Sequence, residues 1–153
     1  MAQNESRLWQ SPRVVPGVVY DDVPKAIEWL TRAFGFRERS AARLTGKGFV
    51  LSWMEIGDGL IGVSSAGGHN VHSPESAGKA TQSIKVYVDD VDRHYERAKA
   101  AGAEIIGEIE EGFWGGRYYR AADPEGHHWE FSQIGRELSA DQWKLPPGIK
   151  MGV

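Results

Sequence analysis

Val23, Ile27, Leu30 and Phe34 fall at i, i+4, i+7 and i+11, one apolar stripe of helical period, and Val91, Tyr95 and Ala98 repeat it further along the chain. An aspartate stands just ahead of each stripe, Asp22 and Asp90. A carboxylate there caps the free N–H groups of a first helical turn and suits that turn's positive end. Pro24 lies in the first turn, where it removes no intrahelical bond, and Gly35 and Gly102 close the two stripes. Each predicted helix follows a short β-branched run, Val14 to Tyr20 or Ser83 to Val88. The pattern therefore predicts a strand and a helix, twice.

Strand signals follow both helices. Arg37 to Leu44, Gly48 to Ile56 and Leu60 to Ser65 predict three strands, parted by turns at Thr45-Gly46-Lys47 and Gly57-Asp58-Gly59. Ala103 to Ile109, Gly116 to Ala122 and His127 to Gln133 predict three more, with Asp123-Pro124-Glu125-Gly126 as the last turn. The unit is βαβββ in both halves. Tyr20-Asp21-Asp22-Val23-Pro24-Lys25-Ala26-Ile27-Glu28 aligns with Val88-Asp89-Asp90-Val91-Asp92-Arg93-His94-Tyr95-Glu96, with Asp, Asp, Val and Glu identical. This gives an α+β chain divided into an N-terminal extension (1–13), a first module (14–65), a Gly-, Ser- and Asn-rich linker or flap (66–80), a second module (81–133) and a tail without periodicity (134–153).

Strand alternation assigns faces. Ile84, Val86 and Val88 take one side of their strand, leaving Ser83, Lys85 and Tyr87 on the other. Trp129 and Phe131 likewise oppose His128, Glu130 and Ser132. If the helices cover the apolar side, Lys85, Tyr87, His128 and Glu130 look into a cleft. Glu130 beside His128 has the makings of a general acid and base pair; alternatively Glu130 is the ion-pair partner of Lys85 or Arg117. Adjacent strand residues diverge, so His127 cannot join His128 and Glu130 in an H-H-x-E metal string. Phe113-Trp114-Gly115-Gly116 reads as an aromatic hinge entering the strand of Arg117, Tyr118, Tyr119 and Arg120. Phe113, Trp114, Arg117 and Tyr119 are candidates to wall a ligand or grip a partner. Trp53 is either core or cleft wall. Trp29 lies off the helical stripe, which points to a subunit contact, and His94 falls on the exposed side of its helix. His69 and His72 read as solvated loop residues.

Composition narrows the field. At 153 residues with 41% hydrophobic and 25% charged positions, the chain is of single-domain size and globular in make-up. Eighteen Lys and Arg against 21 Asp and Glu, net −3, supply too little positive field for a nucleic-acid partner. The absence of cysteine excludes disulfides, thiolate nucleophiles and sulfur-ligated zinc. No run approaches the roughly 20 apolar residues of a membrane span, and Met1 to Arg13 has no apolar leader region, so a soluble, cytoplasmic protein is expected. Nineteen Gly imply many turns, and six Trp exceed what a core this size requires.

The paired Tyr20-Asp21-Asp22-Val23-Pro24-Lys25-Ala26-Ile27-Glu28-Trp29 signature, the following Ala33-Phe34-Gly35-Phe36, and Asp123-Pro124-Glu125-Gly126-His127-His128-Trp129-Glu130 together resemble the vicinal oxygen chelate superfamily. That superfamily includes glyoxalase I, bleomycin-resistance proteins, fosfomycin-resistance enzymes and extradiol dioxygenases. The resemblance, over residues 14 to 133, implies two modules curled into a half-open barrel cleft with helices outside. It also implies four positions where metal-dependent members hold a divalent ion. In this sequence those positions carry Val15, Gly62, Ser83 and Glu130, and only Glu130 has a ligand's chemistry. The expectation is a homodimer without a cofactor or resident metal that binds a small amphipathic or aromatic molecule in its cleft, as bleomycin-resistance proteins do. The rival expectation is a lyase, isomerase or transferase with Glu130 as base or as residual metal ligand.

Overall fold

The computed structural model describes residues 10–136 and 138–152; most of the predicted extension lies outside them. The first half runs β1 (Gly17–Val19), α1 (Val23–Phe34), β2 (Arg37–Glu38), β3 (Leu44–Gly46), β4 (Phe49–Ile56) and β5 (Gly59–Ser64). A short helix, α2 (Pro74–Ala77), follows. The second half is β6 (Ser83–Tyr87), α3 (Val91–Ala100), β7 (Glu104–Glu111), β8 (Arg117–Ala122) and β9 (His128–Gln133). Two separate sheets result, ordered β1-β5-β4-β2 with β3 also on β4, and β6-β9-β8-β7. In each, the first strand pairs parallel with the last while the others are antiparallel. The architecture is mixed α+β, and neither sheet closes on itself.

The helix starts form as the sequence requires. Asp22 accepts from the Lys25 N–H at 3.1 Å and Asp90 from the Arg93 N–H at 3.0 Å. Gly35 ends α1 with φ +78°, a left-handed conformation open to glycine. The three-strand expectation for the first half is modified. Arg37 to Leu44 is not one strand, because a 3₁₀ turn at Ser40–Ala42 breaks it into β2 and β3. The linker carries α2, and the tail carries a 3₁₀ turn at Ala140–Gln142 whose Ser139 and Gln142 cap each other.

One core serves both halves. Val18, Met54, Ile61 and Val63 from the first sheet and Val86, Tyr119, Ala121, Trp129 and Phe131 from the second are buried with the helical stripes. Phe34 of α1 reaches across to Trp129 and Phe131, with ring centroids at 5.6 and 4.6 Å. The helices also touch each other, and this corrects two readings. Trp29 is only 7% exposed and packs edge-on to Phe34, so it is core and not a subunit contact. His94 sits half-buried at the helix contact, its ring nitrogens 2.9 Å from the Phe34 carbonyl oxygen and 2.7 Å from the Tyr119 hydroxyl. Arg97 of α3 donates to the Thr31 and Arg32 carbonyls at the end of α1.

A second clasp lies at the opposite helix end. Asp123, 4% exposed, accepts from the Tyr20 hydroxyl at 2.7 Å, Trp129 Nε1 at 3.0 Å and the backbone N–H groups of Glu125 and His127. Glu125 in the same turn accepts from the Asp21 and Asp22 N–H groups, and His127 Nε2 donates to the Val19 carbonyl at 2.7 Å. With apolar residues directed to the helices, the alternate positions of both sheets are left on the opposite, open face.

Candidate functional site

The open face of the second sheet is a grid set by strand register. Lys85, Glu130 and Arg120 lie side by side on β6, β9 and β8; Tyr87, Ser132 and Tyr118 form the row on one side, and Ser83, His128 and Ala122 the row on the other. The centre of the grid is a carboxylate between two cations. Lys85 Nζ is 3.0 Å from Glu130 Oε1, Arg120 Nε is 3.1 Å from Oε2, and Ser132 Oγ is 3.4 Å from Oε1. Glu130 is the shielded member, its side chain 14% exposed against 38% for Lys85 and 50% for Arg120.

Aromatic rings stand over this row. Trp114 stacks on Tyr118 at 5.3 Å, the Lys85 ammonium sits 4.3 Å from the Trp114 ring and 5.5 Å from that of Tyr87, and the Arg120 guanidinium lies 5.0 Å from the Tyr118 ring. Tyr118 donates its hydroxyl to Glu110, which pushes its own pKa upward. Lys85, Glu110, Glu111, Phe113, Trp114, Tyr118, Arg120 and Glu130 line a hollow of about 760 Å³ that Lys144 and Pro146 of the tail complete. The tail is moored there by a hydrogen bond from the Lys144 N–H to the Phe113 carbonyl, 3.1 Å, and by the Trp143 ring 5.6 Å from that of Phe113.

Of the residues read as candidates, Lys85, Phe113, Trp114 and Glu130 come together in this hollow. Tyr87 is exposed beside it in a groove with Trp114, Ile134 and Trp143. Arg117 and Tyr119 are set apart, because β8 presents them to the helices. Tyr119 is fully buried against His94 and Phe131, and Arg117 pairs with Asp92 at the start of α3. Their neighbours Tyr118 and Arg120 occupy the open face instead, so Glu130's second cation is Arg120 and not Arg117. His128 is exposed in the next row, and no hydrogen bond joins it to Glu130 among the described residues. Trp53 is half-buried on the first sheet, opposite in direction to the buried Ser52 and Met54, and pairs in register with Gly62.

The donor set does not suit a resident divalent ion. Val15 and Gly62 offer no side-chain donor, and Ser83 offers only a neutral hydroxyl. Gly62 belongs to the first sheet, Ser83 and Glu130 to the second, and the hollow lined by Glu130 takes no residue from the first half. Each Glu130 oxygen already lies within 3.1 Å of a cation. A separate trio, Asp21, Glu75 and Glu125, has carboxylate oxygens within 4.8 Å of one another, but Glu125 is engaged on the α1 start and Asp21 on the Ser76 hydroxyl.

Comparison with known proteins agrees with this architecture. TioX from Micromonospora sp. ML1 superposes with a TM-score of 0.64 at 32% identity, covering 84% of this chain and all of TioX. A glyoxalase/bleomycin resistance protein/dioxygenase family enzyme from Burkholderia phytofirmans shares the fold at 18% identity, with a TM-score of 0.62 over 77% of this chain and 94% of its own. An uncharacterized protein of Mycobacterium bovis is 31% identical over 136 residues, 86% of this chain and 89% of its own. The profile of the Glyoxalase/Bleomycin resistance protein/Dioxygenase superfamily matches residues 13–131, and the chain belongs to that superfamily.

Proposed function

We propose that the protein is a binding protein for a small amphipathic, aromatic molecule, held on the open face of the second sheet without a resident metal. The observation that carries this reading is the stack of Trp114 and Tyr118 over the Lys85–Glu130–Arg120 row, in a hollow partly roofed by the tail. Planar rings add to such a stack at an offset, and polar groups beneath them fix orientation. Glu130 serves this site by holding two cations in place rather than by moving a proton. The exposed Leu44, Tyr87 and Ile134 offer apolar surface for a second copy, and a cytoplasmic homodimer is part of the proposal.

Two measurements test it. Protein purified without chelator and dialysed should carry no near-stoichiometric nickel, zinc, iron or manganese; retained metal rejects the metal-free reading. In an NMR screen of aromatic fragments, binders should shift the indole N–H signals of Trp114 and Trp143. Binders that shift only Trp53, or a screen with none, would reject the assignment of the site. Light scattering should return twice the chain mass of 16.9 kDa, and a monomer would remove the dimer from the proposal.

A further inference from the structure

Trp114 is held in an unusual way. Its Nε1 is the one buried side-chain polar atom without a partner among the described residues. Its indole lies back across the hairpin tip, so close that a Cβ at Gly112 would stand 2.6 Å from the ring, and a Cβ at Gly116 would overlap Nε1. Gly115, between them in sequence, has φ +86°. Burying an N–H without an acceptor opposes this placement. What favours it is the Lys85 ammonium beneath the ring and Tyr118 beside it.

Arg120 is underused at the same site. Its Nε meets Glu130, while its terminal amino groups meet no acceptor among the described residues although the side chain lines the hollow. Lys85 spends one contact on Glu130. The floor therefore has two cations against one carboxylate, with Glu110 and Glu111 on the hairpin side and Lys144 on the tail side of the same hollow. A guanidinium with its fork unspent is matched by a second carboxylate or a chemically similar anion.

We infer that the ligand is a planar aromatic anion, whose acidic group seats on the Arg120 fork and Lys85, and that Trp114 is the specificity-determining residue that swings off Lys85 to admit it. This rests on the site assignment above and deepens it. On ligand entry the anion takes over the Lys85 ammonium, the ligand ring takes the stacking place beside Tyr118, and the indole N–H gains access to water or a ligand acceptor. Gly112 and Gly116 set no Cβ against the ring as it leaves.

The test uses the full chain and three probes of one shape: 2-naphthoate, 2-naphthalenemethanol and 2-naphthylmethylamine, titrated by calorimetry and by NMR of the indole N–H signals. The naphthoate should bind about tenfold more tightly than the alcohol, the size of one added charge-assisted hydrogen bond. That ratio should fall to about threefold in Arg120→Gln, where Lys85 alone still faces the acid, and lie between about threefold and tenfold in Arg120→Lys. Because the ratio compares two probes on one sample, a poorly folded variant cannot imitate the result. The Trp114 indole signal should move with naphthoate. Equal binding of acid and alcohol, or tighter binding of the amine, with Trp114 still shifting overturns the anion and leaves the site standing. Full preference in Arg120→Lys overturns the fork. Naphthoate binding that leaves Trp114 unmoved overturns the gate. If no probe binds at this face, the site assignment itself falls.

Discussion

His94 shows how much one side chain can depend on its protonation. Its Nε2–H donates to the Phe34 carbonyl, and in the neutral ring Nδ1 is then free to accept a hydrogen bond from the Tyr119 hydroxyl. Burial pushes its pKa down, the bond to the Phe34 carbonyl partly opposes that, and the Arg97 charge adds to the lowering. The folded value lies below the unfolded one. The stability His94 confers is thus complete above about pH 6.5 and is lost as pH falls through the folded value. Denaturant midpoints should drop between pH 7.5 and pH 5, and His94→Gln should remove part of that drop. Asp123 is a second buried polar side chain, one that accepts from four hydrogen-bond donors with no cation among them. Tyr20→Phe should cost about 1 kcal/mol and Asp123→Asn about 3 kcal/mol in chemical denaturation, since the amide sets an N–H against donors.

At the scale of elements, the helices and their capping aspartates were legible, because a 3.6-residue stripe and an acid ahead of it depend on local chain geometry alone. Trp29 and His94 were not. A stripe counts one buried side per helix, whereas α1 and α3 each have a second, against the other, that only tertiary packing reveals. The choice of Arg120 over Arg117 was not legible. Counting outward from a four-residue turn at Asp123–Gly126 pairs Ala122 with His127 and places the odd-numbered β8 residues, Arg117 and Tyr119, on the Glu130 face; the loop also takes in His127, which pairs Ala122 with His128 and Arg120 with Glu130. In the row of Lys85, Glu130 and Arg120, the Lys85–Glu130 pair was legible from strand alternation and the second cation was not. The tail's docking left no pattern, since its contacts are single rings and backbone groups. That docking has a sharp dependence: a Cβ at Gly135 would overlap the Gly115 carbonyl oxygen. Gly135→Ala should release the tail from the hairpin tip, and limited proteolysis should then cut within residues 138–152 faster than in the parent protein.

Across the whole molecule, the two halves are joined at both ends of their helices, by Asp123 and Glu125 at the start of α1 and by Arg97 and His94 at its end. Neither half has a core of its own, because Phe34 packs into the second sheet. Near- and far-ultraviolet circular dichroism should therefore follow a single transition on heating, and two separated transitions would show that the halves fold independently. Arg97→Ala should lower stability by about 1–2 kcal/mol by uncapping the α1 carbonyls, while leaving the transition single.

The placement of the indoles has an optical consequence. Trp29 and Trp129 are sealed in the core, whereas Trp114 and Trp143 stand at the hollow and Trp53 on the other sheet. Their emission should separate into a blue-shifted and a red-shifted population, and a guest taking the place of Trp114 beside Tyr118 would alter the second while sparing the first. The molecule thus has a built-in reporter of occupancy and an internal reference for it, with no dye attached.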